Sequence, residues 1–306
     1  MGIGRGAIKF LLHEAARRPM RGRALTLGKQ DVLFDYAELI RVMREVGLEP
    51  ALGSNEELNV KGHISDSCLF KTLGFTDCQS LDYSDYEKAD HAVDLNKDDP
   101  SPELDGQFDL VYDGGTLEHV FHVPNALHRI FRMLRVGGRV LHTSPCANYL
   151  DHGFYMFSPT FFVDFYSANC FDINAVQMMR LARNSEAVPW EISNYTPGCL
   201  DDMGVGGLDD GIYMVACTAT KTDRSTGTMV PQQRHYLEVW NDQHQQQSSR
   251  ERGGGLVHGT RQVLGKIPIL YSFARWCSRT VKAPFGTRAR SSTRKKGLGL
   301  DVVARY

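Results

Sequence analysis

Between residues 33 and 46 the apolar side chains fall at 33, 36, 39, 40, 43 and 46, the spacing of one helix face, and Gly47 closes the run. A basic amphipathic helix is predicted before it at 5–17, with Ile8, Leu11, Leu12 and Ala15 on one side. Between the two lie a short apolar strand at 23–28 and a turn at 29–31, and residues 48–63 read as irregular. Ser65 or Asp66 can cap a short helix through Leu73, with Gly74 as its stop. Strands then come at regular spacing, at 79–82, 91–94, 109–112 and 139–143, the last announced by the Gly137-Gly138 break. Pro124 suits the first turn of a helix over 124–134, and Pro159 can start another to about Ala168. Late strands are expected at 174–181 and 212–219. Strands alternating with helices of ten or more residues predict a doubly wound, mostly parallel α/β sheet covered on both faces.

After Thr220 this rhythm fades. Residues 222–233 are polar, 243–255 form a Gln/Ser/Arg/Gly-rich linker, 267–281 regain some apolar character, and 288–296 are basic and Ser/Thr-rich. The predicted organisation is an N-terminal helix (1–22), an α/β domain (23–221) and a basic C-terminal extension (222–306) whose end, 283–306, reads as a solvated, mobile tail.

Charge sharpens that division. The chain of 306 residues has a net charge of −1, yet 221–306 hold sixteen Lys/Arg against five Asp/Glu, whereas 1–220 hold nineteen against thirty-one. The basic extension could meet anionic lipid, with Phe273 and Trp276 inserting while Arg275, Arg279 and Lys282 face headgroups. Nucleic acid is not expected, because no recognised module accompanies the charge. Seven scattered cysteines without a CxxC pair argue for reduced thiols, and no run of eighteen apolar residues occurs. A soluble, cytoplasmic protein is the expectation.

An open parallel sheet binds ligands at the carboxyl ends of its strands, so the residues just after each strand are the ones to read for chemistry. The first turn is Gly28-Lys29-Gln30. No GxGxxG follows it, and no Walker Gly-Lys-Ser/Thr exists, so a pyrophosphate lacks its usual cradle. The second strand ends at Asp82-Tyr83, where a carboxylate can accept hydrogen bonds from two ribose hydroxyls. The third ends at Asp94-Leu95-Asn96, where a short polar side chain can meet an exocyclic amine. Each could equally be a turn residue closing its strand.

The run FDLVYDGGTLEHV at 108–120, followed by a Pro-started helix and MLRVGGRVL at 133–141, resembles the class I S-adenosylmethionine-dependent methyltransferases. More narrowly, it is similar to their small-molecule branch, with Val136 where the branch has proline before the paired glycines. The resemblance spans about 23–221 and is most specific at 108–143. It implies a Rossmann-like fold, S-adenosyl-L-methionine as cofactor, and a cleft lined by Gly28, Gln30, Asp82, Tyr83, Asp94, Leu95, Asp113, Gly114 and Thr116. The family's first loop normally carries an acidic residue and several glycines, whereas here there is one glycine and a cation. Lys29 could pair with the cofactor's carboxylate, or could disfavour its sulfonium and amino group.

The implied reaction displaces methyl from sulfur onto a nucleophile of a small molecule or glycan, and a hydroxyl nucleophile must also lose its proton. His152, in the loop after the fifth strand with Asp151, Tyr149, Phe154 and Tyr155, is the expected base. Glu118, His119, His122 and His128 suggest a metal, but Pro124 separates the first three from the helix bearing His128, so none is expected. A second reading keeps the fold without the chemistry, as a methyltransferase-like binding or scaffold protein, on the strength of the poor first loop.

Overall fold

The computed structural model describes residues 2–51, 62–182, 189–200, 203, 206–234, 236, 237, 239–241 and 302–305. The linker at 243–255, the amphipathic segment at 267–281 and the basic run at 288–296 lie outside the described residues. The chain divides into one unit of 1–233 with 296–306, and a second of 234–295. In the second unit the described residues are helical, and the rings of Tyr236 and Trp240 lie 6.1 Å apart.

In the first unit a short strand β1 (Gly2–Ile3) leads into helix α1 (Arg5–Arg17) and strand β2 (Gly22–Leu27). Strand β3 (Asp31–Val32) pairs in parallel with β1 rather than opening the next helix. Helix α2 (Tyr36–Glu45) therefore starts later than residue 33, where the Asp35 side chain accepts the Glu38 N–H at 2.8 Å and caps it. Helix α3 (Asp66–Thr72) is capped by Ser65 through Cys68 N–H at 3.0 Å. Strand β4 (Phe75–Asp82) is longer than its apolar signal. Strand β5 (His91–Ala92) covers only Leu81 and Asp82, so most of β4 is a free edge that tolerates polar residues.

Strand β6 (Phe108–Asp113) leads through a single 3₁₀ turn at Leu117–His119 into helix α4 (Val123–Met133), with Pro124 in its first turn. Strand β7 (Leu134–Ala147) runs on either side of its expected bounds. Its glycines are held rather than looped out, since Gly137 N–H donates to Lys221 O and Lys221 N–H to Gly138 O, each at 2.8 Å. Helix α5 (Pro159–Ala168), strand β8 (Asp172–Leu181), strand β9 (Glu191–Asn194) and strand β10 (Ile212–Thr220) complete the domain. Strand β11 (Val302–Arg305) pairs antiparallel with β9, so these four residues are not part of a mobile tail. Its Val302-Val303 pair carries the β-branched character that a reading of the basic charge alone passed over.

The main sheet has the order β11-β9-β8-β10-β7-β6-β2-β4-β5. The five strands from β7 to β5 are mutually parallel, and the remaining pairings are antiparallel. Both faces are dry. Leu25, Leu27 and Val111 point to the face packed by Leu127, Ile130, Phe162 and Tyr166, whereas Ala24, Leu110 and Tyr112 point to the face packed by Leu11, Leu39 and Phe70. Two-sided burial explains why these strands read as apolar runs rather than alternating ones. Helix α1 contributes Ile8, Phe10, Leu11 and Leu12 to the second face. Among the described residues no helix is long and apolar enough to cross a membrane.

Candidate functional site

A cleft of about 370 Å³ opens at the carboxyl ends of β2, β4 and β6, within the range usual for small-molecule sites. Its lining is Gly28, Lys29, Gln30, Asp82, Glu87, Thr116, His119 and His152. Of the ten residues expected in the site, five meet here: Gly28, Gln30, Asp82, Thr116 and His152.

The floor is built from strand ends. Gly28 N–H donates to Leu81 O at 2.7 Å, and Thr116 Oγ1 donates to Leu27 O at 2.6 Å, tying the end of β2 to those of β4 and β6. Gly28 has φ +75°, and a Cβ there would lie 3.0 Å from Thr116 Oγ1, so the position suits only glycine. The Asp82 carboxylate lies alongside. Its Oδ1 accepts Tyr83 N–H at 2.6 Å, and Oδ2 has no protein donor among the described residues. That free oxygen fits the hydroxyls of a ribose. Buried Gln30 donates its amide to Leu27 O and Gly28 O, leaving Oε1 without a partner. One bare glycine floor, a half-used carboxylate and an orphaned amide oxygen fit a ligand that brings hydroxyl and amine donors, as an S-adenosyl cofactor does.

Lys29 lines the cleft but already has a protein partner. Its Nζ lies 3.0 Å from Asp66 Oδ1, a carboxylate buried in the first turn of α3. Burial opposes the ammonium, but attraction to Asp66 and the hydrogen bond to it outweigh burial and hold its pKa above the ordinary value. The degenerate first loop is thus charge-compensated from α3, a partner no local reading could supply.

The other expected residues sit elsewhere, each for a physical reason. Asp94 Oδ1 accepts from Asn96 N–H at 3.0 Å and Asn96 Nδ2 at 3.1 Å, contacts that lower its pKa and make it a turn-closing residue. Leu95 is core, and Tyr83 points outward with 74% exposure. Gly114 lies against the Tyr112 ring and Gln30 Oε1, where a Cβ would be 2.7 Å and 2.8 Å from them. Asp113 has no exposure at all. Its Oδ1 accepts Thr116 N–H at 2.8 Å and Leu117 N–H at 3.2 Å; its Oδ2 meets His142 Nδ1 at 2.7 Å, and His142 Nε2 meets Tyr166 OH at 2.6 Å. Asp113 shapes the cleft from behind rather than touching a ligand.

The wall facing this floor is made by the loop after β7. Asn148 (φ +60°) and Asp151 (φ +62°) hold left-handed backbone, a cost that tends to persist at functional turns. Asn148 Nδ2 anchors the loop to Asp209 O and Gly211 O, each at 2.8 Å. Phe154 N–H and Tyr155 N–H both donate to Glu118 O, at 2.8 Å and 3.3 Å, pressing the loop onto the 3₁₀ turn. His152 thereby stacks on Tyr149 at 4.0 Å, meets the edge of His119 at 5.0 Å, and brings Nε2 within 3.4 Å of Glu118 Oε1.

Sequence spacing missed this grouping because His152 lies beyond a whole helix and strand from Glu118. Of the histidines that spacing did offer, His119 joins this group and the other two go elsewhere. His122 gives its backbone N–H to Asn96, and His128 pairs with Asp98 at 3.0 Å and stacks on Phe131. Burial of Glu118, and then the negative charge of Asp113, push its pKa up to about 8. Burial also lowers the pKa of His119 and, with the His119 charge next, that of His152. Both shifts favour the neutral ring, which has a lone pair to offer.

Residues 76–142 match the family described as a methyltransferase domain, which bears out the resemblance drawn from 108–143. Among solved structures, the 1,6-didemethyltoxoflavin-N1-methyltransferase of Burkholderia thailandensis is 16% identical, covering 71% of this chain and 77% of its own, with a TM-score of 0.36. The YcgJ protein of Bacillus subtilis is 13% identical over 71% of this chain and 98% of its own, at 0.40. TehB of Haemophilus influenzae is 10% identical over 70% and 62%, at 0.36. No curated protein matches the chain.

Proposed function

Because residues 76–142 carry a methyltransferase domain whose cofactor is S-adenosylmethionine, we propose that this chain methylates an oxygen of a small molecule or a glycan. When bound, the cofactor supplies a methyl group made electrophilic by its sulfonium. Everything else falls to the chain. Asp82 Oδ2 takes the ribose hydroxyls, the Gly28 backbone lets the ligand lie close to the strand ends, and Gln30 Oε1 has an amine donor to receive.

The observation that carries the oxygen reading is the place of His152 on the wall opposite this floor, where burial lowers the pKa of its imidazole. Sulfur and activated carbon nucleophiles need little help, whereas a hydroxyl must lose its proton, and a neutral imidazole is the side chain suited to receive it. Around it the loop offers aromatic surface. Phe121 and Phe154 are 60% and 66% exposed and meet edge to face at 5.7 Å, a pair able to stack on a sugar or ring acceptor. The reaction needs alignment above all, and well-oriented partners can account for roughly 7–11 kcal/mol of a barrier.

The test is calorimetric titration of the cofactor-stripped protein with S-adenosylhomocysteine, followed by a screen of hydroxylated metabolites and sugars with radiolabelled methyl donor. Micromolar one-to-one binding and transfer to oxygen are expected. Folded protein that gives no heat at millimolar ligand would leave the scaffold reading in its place.

A further inference from the structure

Glu118 is the one acidic side chain of this corner with no exposure and no hydrogen bond from any other group to either carboxyl oxygen. Buried carboxyls are nearly always satisfied, so an orphaned one marks a missing partner. It is not aimed into the core. Its Oε1 lies 3.4 Å from His152 Nε2, and one ligand atom from each of Glu118, His119 and His152 falls within 4.8 Å of the others. Resting on the proposed methyl transfer to oxygen, we infer that Glu118, His119 and His152 form a site for one divalent transition-metal ion of the Zn²⁺, Mn²⁺ or Co²⁺ class, beside the cofactor cleft.

The donor set decides the class of ion. Two imidazoles and one carboxylate suit these borderline metals, while Mg²⁺ and Ca²⁺ prefer oxygen alone. Three protein ligands are also the number that a reactive site uses, with remaining positions left for water or substrate. Ligands bonded at about 2.1 Å stand on the order of 3.5 Å apart, so the Glu118–His152 pair is already at that spacing and His119 needs a small rotation. The electrostatics agree. Lys29, which lines the cleft, is neutralised by Asp66, and burial beside Asp113 leaves the Glu118 carboxyl unfavourable as an anion until a cation binds it. His119 and His152 both face the cleft, so the open positions of a bound ion would face it too.

Such an ion gives the acceptor hydroxyl a place to bind and ionise. The O–H bond breaks with its electron pair staying on oxygen, and the proton leaves to solvent, as for a water bound to zinc. The role of His152 then changes from base to ligand.

The experiment uses untagged, EDTA-treated and dialysed full-length protein titrated with Co²⁺, followed by calorimetry and by visible absorption, which reports imidazole and carboxylate ligation directly. One equivalent should bind with a saturable visible band. Binding should weaken at least 100-fold in His152→Ala and in Glu118→Gln, with circular dichroism unchanged. Should either variant fail to fold, His119→Asn serves in its place, since that side chain is exposed. A folded wild type without saturable binding, or a His152→Ala protein that keeps the band, would overturn the site. S-adenosylhomocysteine titrated in EDTA separates this from the broader reading. Cofactor binding without cobalt binding sinks the metal alone, and loss of cofactor binding sinks the methyltransferase reading.

Discussion

Two buried carboxylates stand five residues apart at the end of β6, and they are treated in opposite ways. Asp113 is saturated: two backbone N–H groups cap onto it and His142 bridges it to Tyr166, all in the dry interior. Glu118, equally buried, has no such partner. Burial costs both groups their hydration, but only Asp113 recovers it from the protein. A fully satisfied network fixes geometry, here the turn that sets Thr116 against Gly28. An unsatisfied group is tolerated where a ligand completes it. The first is scaffold and the second is site.

The sharpest way to break this contrast is Asp113→Ala. It uncaps the 3₁₀ turn and strands buried His142 without the partner of its Nδ1, so a loss of about 3–5 kcal/mol is expected, the scale for removing one partner of a buried pair. Urea unfolding measures it, and a loss under about 1 kcal/mol would show the network to be ornamental.

Asp82→Ala moves to the floor of the cleft and should leave stability within about 0.5 kcal/mol, because its Oδ2 supports nothing in the protein. Its effect belongs to binding. Loss of a carboxylate that accepts hydroxyls is worth about 1.5–3 kcal/mol, or roughly 10–100-fold in S-adenosylhomocysteine affinity by calorimetry. Gly28→Ala combines both effects at smaller size. The left-handed backbone and the Thr116 contact predict about 1–2 kcal/mol of destabilisation with a matching loss of affinity.

The sequence was most informative where one segment carries the whole signal. The β6 strand, its LEHV turn, the Pro124 helix and the central part of β7 all lie within forty residues, and their pattern could be read directly, although Gly137-Gly138 proved to lie within β7 rather than before it. Helix α5 was equally legible, because Pro159 fixes its start and its Phe-rich face is core. What could not be read was pairing across distance. Lys29 looked like an intruder in the cofactor loop until Asp66 arrived from another helix. Asp94 looked like a ligand because the register of strand ends was legible, while its Asn96 contact was not. Glu118 and His152 are separated by a helix and a strand, and only the two hydrogen bonds to the Glu118 carbonyl bring them together.

The smallest expected effect tests the contrast most directly. Glu118→Leu removes a buried carboxyl that accepts no hydrogen bond from any other residue, so in metal-free protein it should leave stability unchanged or raise it by about 1 kcal/mol, unlike any substitution at Asp113. Leucine is close enough in volume to fill the space, and the carbonyl that anchors Phe154 and Tyr155 is untouched. The sign is the informative part. Stabilisation in the absence of metal, joined to loss of the metal-induced rise in melting temperature expected for wild type, would identify Glu118 as a residue kept at a cost to folding for the sake of a ligand. Clear destabilisation in metal-free protein would mean that the carboxyl has a structural partner after all, and the two carboxylates would then belong to one scaffold.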